Sequence, residues 1–453
     1  MDEDEDLFDE MPSQGFYTSV EELGIKYKNK KELSDKDFNI LANQLKFADI
    51  IQVNKLWVDY LDLVSTVLEK SVLSEIQIKD VKLSPAIMNT ITKILNNNTT
   101  IFHLRFEDIV VPESSGDSIK ASSVQYVEFV NTPINHNLAL PKALATISFQ
   151  KIKLSIGDCK RIGKLLGEHK TLASVVLIDN GMGSEHVCAF IDGLQRSKSI
   201  KMLDIQENFV GAKGLKAIGD YLSTTTKLVS LEIAEFDPEK DGLFHLSNGL
   251  KSNTSLTVLS LTTANQNKTD AAWIFKSLRY NCVLQSLSVS FNDAFETKEL
   301  DQEVLTMIRK NRGLHSFNIS EFEQHGPMIK SIKENLAYNS YLTDISLDHQ
   351  ADEELEELLD KNIANQTENA KKFLVCCRSV VLLPLPHELK RHVFEMLCKT
   401  CFIPFASIST LADTFLDENS VGIFDPTMWF SEHALSSQCY SYLYAKKEIL
   451  LKD

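Results

Sequence analysis

Four cysteines near the C-terminus are the residues of this sequence whose spacing is most similar to that of a metal or redox site. Cys398 and Cys401 enclose two residues, the spacing typical of zinc knuckles and thiol–disulfide centres, and Cys376-Cys377 lie earlier in the chain. A closed zinc site needs four ligands in a tetrahedral arrangement. The first pair is adjacent rather than separated by two residues, and free cysteine is readily buried. The sequence therefore favours buried structural thiols, and we expect neither a metal nor a cofactor.

Other residues with catalytic potential show no arrangement that points to a reaction. The chain has no GxxxxGK[ST] phosphate loop, no GxSxG elbow and no HExxH metal motif. Gly211, Gly214 and Gly219 are spaced for a repeated turn rather than for a dinucleotide, and His387 and His392 receive no role. We therefore expect that the protein is not an enzyme.

The elements that must position any site come from an apolar phrase, L-x-x-L-x-L, that recurs at intervals of about 28 residues. A period between about 20 and 50 residues is the signature of a repeat array. The opening position of the phrase is occupied by Leu73, Ile101, Leu144, Leu172, Ile200, Leu228, Leu256, Leu284, Leu314 and Leu342, with a degenerate copy at Leu45.

Each repeat divides into two halves with different hydrophobic periods. Leu259 and Leu261 alternate with polar residues, which predicts a short strand. Leu215, Ile218 and Leu222 follow helical spacing. The repeat therefore predicts a strand followed by a helix.

The turn between the two halves has its own signal. Asn180 and Asn208 each follow a strand, where the side-chain amide can bond the backbone of the turn. Gly211 and Gly214 come next and predict a tight passage into the helix.

The complete phrase, LxxLxLxxNxxGxxGxxxLxxxLxxNxxL, resembles the long leucine-rich repeat of the ribonuclease-inhibitor type. This resemblance implies an α/β horseshoe solenoid with parallel strands on the concave side and helices on the convex side. We expect the array at residues 45–350, preceded by an acidic N-terminal segment or cap at 1–44 and followed by an all-α domain at 351–453. The step from Ile101 to Leu144 is 43 residues. An insertion or a degenerate strand near Val127 and Phe129 is therefore expected to interrupt the array at 105–143.

The leucines explain stability, so a binding function must lie on the residues between them. We expect a protein partner on the concave face. Acidic residues there could attract a basic partner, although a solvated face is the alternative interpretation. The predicted binding residues are Lys201, Met202, Asp204, Gln206, Glu207, Glu232, Glu235, Thr257, Ser260 and Ser288.

A second candidate site lies beyond the repeats, in LLPLPHELKRHVFEMLCKTCF. This phrase is similar to the opening of an F-box, and Phe424 to Trp429 resembles the closing phrase of that module. The resemblance implies a helical module that docks on the adaptor of a cullin ubiquitin ligase. The alternatives are a SOCS-box-like contact and a helical domain that only caps the array. The predicted adaptor-docking residues are Leu385, Pro386, Leu389, Val393, Phe394 and Leu397.

Composition limits the remaining possibilities. The chain has 47 basic and 63 acidic residues, a net charge of −16, which argues against binding of nucleic acid or of an anionic membrane surface. No apolar run reaches the roughly 18 residues of a membrane span. The eight cysteines suit a reducing compartment. We expect a cytoplasmic monomer. A bacterial effector that is delivered into a host cell would fit the same composition.

Two further hypotheses compete with ligase recruitment. The first is a small-GTPase regulator, because the activator of Ran is built from similar repeats with an acidic tail. The acidic stretch of this chain is N-terminal instead. The second is a plain scaffold or inhibitor whose C-terminal domain is only a cap.

Overall fold

The computed structural model describes residues 45–55, a few neighbouring positions, and residues 61–366 with gaps at 111–122, 135–139, 238–240, 264–270, 292–297, 321–325 and 348–351. The chain divides into two compact units within the strand Val258–Thr263. The first contains Met1–Leu256 and Ser260–Asn265, and the second contains Thr257–Leu259 and Gln266–Asp453.

Strands and helices alternate along the described residues. The strands are β1 (Ile50–Val53), β2 (Glu75–Lys79), β3 (His103–Glu107), β4 (Tyr126–Val130), β5 (Thr146–Gln150), β6 (Ser174–Ile178), β7 (Met202–Asp204), β8 (Ser230–Phe236), β9 (Val258–Thr263), β10 (Ser286–Phe291), β11 (Ser316–Ser320) and β12 (Asp344–Leu347). The helices are α1 (Leu61–Leu68), α2 (Pro85–Asn97), α3 (Ile156–Gly167), α4 (Ser184–Leu194), α5 (Ala212–Thr224), α6 (Gly242–Ser252), α7 (Ala271–Leu278), α8 (Lys298–Lys310) and α9 (Gly326–Leu336). None of these helices is long and apolar enough to cross a membrane.

Neighbouring strands pair in parallel and keep the register of the repeat. In the first unit β1 to β8 pair in sequence order, so that Leu203 lies between Val175 and Leu231. In the second unit β10, β11 and β12 do the same. Side chains at the leucine positions are buried. Their neighbours along the strands are mostly exposed or partly exposed, but Glu128, Ser148 and Asp204 are buried as well. The predicted α/β repeat fold is confirmed. Beyond Gln366, the predicted all-α domain lies outside the described residues.

The strand ladder continues through residues 105–143, where an insertion or a degenerate strand was expected. β4 pairs with β3 on one side and β5 on the other, although the described residues between β3 and β5 contain no helix. Phe106, Phe129 and Phe149 stack across these strands with ring centroids 5.3 and 5.5 Å apart. These large rings fill the core of two short repeats, because an aromatic side chain buries more apolar area than a leucine.

Buried asparagines connect successive repeats on the turn side of the strands. Asn208 donates to the carbonyls of Leu177 and Gln206 (both 2.8 Å) and accepts the N–H groups of Asn180 and Met182. The amide therefore replaces the bonds that water would make to buried backbone groups. The predicted role of Asn180 and Asn208 is confirmed. In the short repeat Thr132 takes the place of this asparagine, and its hydroxyl accepts the N–H of Ile109.

A second asparagine series lies where each helix returns to the next strand. Asn98, Asn253, Asn311 and Asn339 are buried, donate to carbonyls of the preceding repeat and accept N–H groups of the following turn. Asn311, for example, accepts from Gly313 (2.9 Å) and Leu314 (2.7 Å). The side chain thus bonds two repeats at once.

The backbone at the strand ends is left-handed, and the residues there are not glycines. Positive φ angles between 45° and 58° occur at Asp80, Asp108, Asn131, Lys151, Asp179, Glu207 and Glu235. Such angles are uncommon outside glycine. The N–H of Glu207 bonds the carbonyl of Ala234 at 3.0 Å, and equivalent bonds occur along the series. Gly211, expected to provide the tight passage, has a φ of −95° that any residue adopts.

Helical residues 353–366 close the polar series in the second unit. Asn362 donates to the carbonyls of Asn339 (2.7 Å) and Leu342 (2.8 Å). Gln366 donates to those of Ser340 (3.1 Å) and Tyr341 (2.6 Å). The carbonyls of the last repeat are therefore satisfied by side chains of a helix rather than by another repeat, which is what a terminal cap requires.

Candidate partner-binding face

Alternate strand side chains point away from the helices and form what we call the open face. On β7 and β8 the open face carries four of the predicted binding residues, and Ser260 and Ser288 occupy the equivalent positions of β9 and β10. The four are Met202, Asp204, Glu232 and Gln206, which lies two residues after the end of β7.

The remaining predicted residues lie at the strand margins. The carbonyls of Lys201 and Thr257 accept backbone N–H groups of the next repeat, so these residues precede their strands. Glu207 and Glu235 have left-handed backbones and exposed side chains. The four predicted acidic residues therefore separate into two on the open face and two at its edge.

A charged network on β2 to β4 was missed by sequence reasoning. Glu107 accepts from Lys79 (2.6 Å) and Arg105 (3.0 Å), and Glu128 accepts from Arg105 (2.8 Å) and Gln150 (2.8 Å). Lys79 and Glu107 are 28 residues apart, but the short repeat moves Glu128 to 23 residues after Arg105. Because the interval is shorter than 28 residues, the sequence spacing did not show that Arg105 and Glu128 are register partners on β3 and β4.

His103 completes this network. Its Nδ1 lies 3.2 Å from Glu75, its Nε2 lies 3.8 Å from Glu128, and its ring stacks on Tyr126 at 4.2 Å between centroids. Burial alone would lower the pKa of His103, but the carboxylates of Glu128 and Glu75 outweigh it and raise that pKa to about 9. The imidazole is therefore protonated at neutral pH. Three cations then balance three carboxylates, so the network has little charge left for a partner.

The charge of His103 predicts a pH dependence of stability. Its folded-state pKa of about 9 exceeds the ordinary value of 6.5, so its stabilising contribution is complete below pH 6.5 and disappears as the pH rises through 9. We expect wild type to lose up to about 3 kcal/mol across this range relative to His103→Gln. Urea unfolding at several pH values measures the difference, and parallel curves for the two proteins would contradict the assignment.

Asp204 and Glu232 differ from this network because they face each other without a cation. They are paired positions of β7 and β8, and neither forms an ion pair within the described part of the chain. Burial raises the pKa of Asp204, and hydrogen bonds from Gln206 oppose that shift. Burial and the charge of Asp204 raise the pKa of Glu232. A buried carboxylate and a part-buried one therefore repel each other on the open face.

Apolar side chains border this carboxylate pair. Val176 is the register partner of Asp204 on β6. Met202 lies two residues before Asp204 and is 39% exposed, although its side chain is large and hydrophobic. A lysine or arginine can lay its aliphatic stem on such a surface while its charged group reaches a carboxylate. The arrangement is thus complementary to a basic side chain.

The other predicted sites lie outside the described residues. This applies to the six adaptor-docking residues from Leu385 to Leu397 and to the four cysteines from Cys376 to Cys401. The described cysteines, Cys159, Cys188 and Cys282, are free. Within the described ranges no group of three or more His, Cys, Asp or Glu side chains is arranged so that it could hold a metal ion.

Comparison with known proteins adds little to this picture. No family model matches the chain, and no curated protein matches it. Among solved structures, the leiomodin-1 actin-binding site 2 matches with 17% identity, a TM-score of 0.25, and coverage of 29% of this chain and 78% of that chain. This likeness carries no argument about partners.

Proposed function

We propose that this chain is a non-enzymatic interaction protein that holds a protein partner on its open face. The observation that carries the proposal is that Asp204 and Glu232 face each other on neighbouring strands and that, among the described residues, neither has a cationic partner. Elsewhere on the open face, at Arg105 and Glu128, acidic groups have cationic partners within the same fold. A basic side chain of the partner would supply the missing cation between Asp204 and Glu232.

The partner contact has a defined chemistry. A lysine or arginine would lie along Val176 and Met202 and place its charged group between the two carboxylates. Desolvated charge pairs of this kind contribute more to binding than exposed ones, because water screens them less. We therefore propose a protein partner with at least one protruding basic side chain.

The carboxylate pair makes a prediction for the free protein. Both pKa values are raised in the folded state, so the pair destabilises the fold at neutral pH, and this cost decreases as the pH falls toward the folded-state values. We expect Asp204→Asn with Glu232→Gln to be more stable than wild type at pH 7, with the gain shrinking at acidic pH. Thermal unfolding at pH 7 and pH 4 measures this, and a less stable variant at pH 7 would contradict it.

We further propose that residues after the array recruit a cullin-type ubiquitin ligase. The support is the resemblance of Leu385-Pro386 and the following apolar positions to the opening of an F-box. In addition, Asn362 and Gln366 already satisfy the carbonyls of the last repeat. The adaptor-docking residues are therefore not needed for those bonds. Recruitment would act by raising the local concentration of a bound partner near the ligase.

Recruitment is tested by capture of the purified F-box adaptor on the immobilised full chain. We expect wild type to bind the adaptor and the double variant Leu385→Ala/Pro386→Ala to lose it. Asp204→Asn/Glu232→Gln is the matched control, because it changes only the open face and should bind the adaptor normally. Absence of adaptor on wild type would remove the recruitment proposal and leave the partner-binding proposal standing.

Truncation separates recruitment from a purely capping role. We expect a chain ending at Gln366 to be soluble and to unfold cooperatively, because it keeps the side chains that close the last repeat. A chain ending near residue 350 loses Asn362 and Gln366 and should aggregate, since the open end of a repeat array exposes its core. Size-exclusion chromatography of both chains measures this. Aggregation of the longer one would instead favour a capping role for the residues after 366.

A further inference from the structure

A row of basic and aromatic side chains lies at the helix C-termini of the second unit. Tyr280 follows α7, Arg309 and Lys310 end α8, and Tyr338 follows α9. Because they occupy similar positions in successive repeats, they lie side by side. With Arg312 and Tyr341 they form what we call the basic–aromatic ridge.

Direct contacts connect the members of the ridge. Lys310 Nζ lies 3.3 Å from the hydroxyl of Tyr280 and 5.6 Å from its ring centroid. The Arg309 guanidinium lies 4.4 Å from the ring centroid of Tyr338. Arg312 donates to the carbonyl of Tyr338 at 3.4 Å and lies 5.7 Å from the ring centroid of Tyr341. The ridge is therefore continuous across the ends of the helices.

The helix dipole explains the cations of this ridge but not its tyrosines. Positive side chains are favourable at a helix C-terminus. Tyr280 is 75% exposed and Tyr338 is 63% exposed, which leaves two large rings in water. None of Arg309, Lys310 and Arg312 forms an ion pair within the described residues. Exposed tyrosine together with arginine is the composition of protein-binding hot spots.

A shallow groove beside the ridge adds shape to this surface. It has a volume of about 560 Å³ and lies between α8 and α9. Its lining includes Arg309, Lys310, Leu305 and Asn335. Lys298 and Asp301 also line it. Its charged side chains are thus mainly cationic, in a chain whose net charge is −16.

We propose that the basic–aromatic ridge docks an acidic peptide segment of a protein partner. Carboxylates would bind Arg309 and Lys310, and an apolar side chain would pack on Tyr280 or Tyr338 or enter the groove. The ridge offers three cations, which neutralise a short acidic segment. A nucleic acid or a membrane presents a much longer array of phosphates, which the negative charge of the whole chain would repel. This surface is separate from the open face and does not depend on the function proposed for it.

Fluorescence anisotropy with the full-length protein tests the proposal. The probe is a fluorescein-labelled peptide that alternates pairs of Glu and Asp with Leu and Phe, and the comparison peptide carries Gln and Asn instead of the acids. We expect the acidic peptide alone to bind. Arg309→Gln/Lys310→Gln should weaken binding at least about fivefold. Arg312 is left unchanged because it bonds backbone carbonyls.

The control variant is Lys213→Gln/Lys216→Gln, which removes two cations from α5, where they pair with Glu185 and Asp220. It changes the net charge equally and should bind the acidic peptide as wild type does. Circular dichroism establishes that both variants are folded. Equal losses in the two variants, or equal binding of the neutral peptide, would overturn the proposal. So would ridge-dependent binding to phosphatidylserine vesicles without binding of the acidic peptide.

Discussion

Replacement of Gly163 by alanine is expected to destabilise the first unit by about 3 kcal/mol. Gly163 lies on α3, where an added Cβ would collide with the backbone carbonyl group of Phe190 on α4 and would lie 3.2 Å from the Cα of that residue. Gly193 makes the reciprocal contact, because its Cβ would lie 2.6 Å from the carbonyl carbon of Gly163. Backbone atoms cannot move aside as a side chain can, so the loss should lie at the upper end of the range for overpacking.

Gly157 provides the matched control because it lies on the same helix but faces open space. Its Cβ would meet only the hydroxyl of Ser155, at 3.7 Å. Alanine is favoured over glycine in a helix by up to about 1 kcal/mol, so Gly157→Ala should stabilise slightly. Urea unfolding of the two variants should therefore give effects of opposite sign. Equal or neutral effects would contradict the close approach of α3 and α4.

The second large effect is expected at Asn98, in the asparagine series that connects the repeats. Its amide donates to the carbonyls of Leu68 (2.8 Å) and Ser71 (3.1 Å), and its oxygen accepts the N–H groups of Thr100 (2.8 Å) and Ile101 (3.2 Å). Asn98→Ala leaves the N–H groups of Thr100 and Ile101 without this acceptor, whereas the two carbonyls keep bonds from the hydroxyls of Ser71 (2.9 Å) and Thr100 (3.4 Å). Each unsatisfied buried group costs roughly 1–3 kcal/mol, so a loss of about 4 kcal/mol is expected.

The adjacent Asn97 separates this effect from the general cost of replacing an asparagine. Its side chain is exposed and makes one bond, to Glu69 at 3.0 Å. Asn97→Ala should therefore cost less than about 1 kcal/mol. Urea unfolding of both variants measures the difference. Similar losses at the two positions would show that the buried amide does not connect the repeats.

The sequence predicted the features that depend on a regular period. The strands near Leu203 and Leu231 and the helix around Ile218 follow from apolar spacing alone, and the roles of Asn180 and Asn208 follow from the chemistry of a side-chain amide beside a turn. Between Ile101 and Leu144 the period shortens, so the sequence spacing no longer shows which residues of neighbouring strands are register partners. The strand β4 and the phenylalanine stack fill that interval.

The parts of the site that the sequence could not predict depend on contacts across strands. Whether an acidic residue is paired or unpaired is decided by the neighbouring repeat, which is why Glu128 and Glu232 differ although both occupy the same strand position. The left-handed backbone at Glu207 was not predictable either, because the usual residue at such an angle is glycine. There the N–H of Glu207 bonds the carbonyl of Ala234 on the next strand.

The proposed role of Asp204 and Glu232 is to hold a basic side chain of a protein partner on the open face. Proximity labelling in cells with wild type, Asp204→Asn/Glu232→Gln and the surface control Lys213→Gln/Lys216→Gln tests it most directly. We expect at least one protein to be labelled by both wild type and the surface control but not by the open-face variant. In purified form this protein should bind wild type but not that variant. An identical set of labelled proteins for all three chains would contradict the claim.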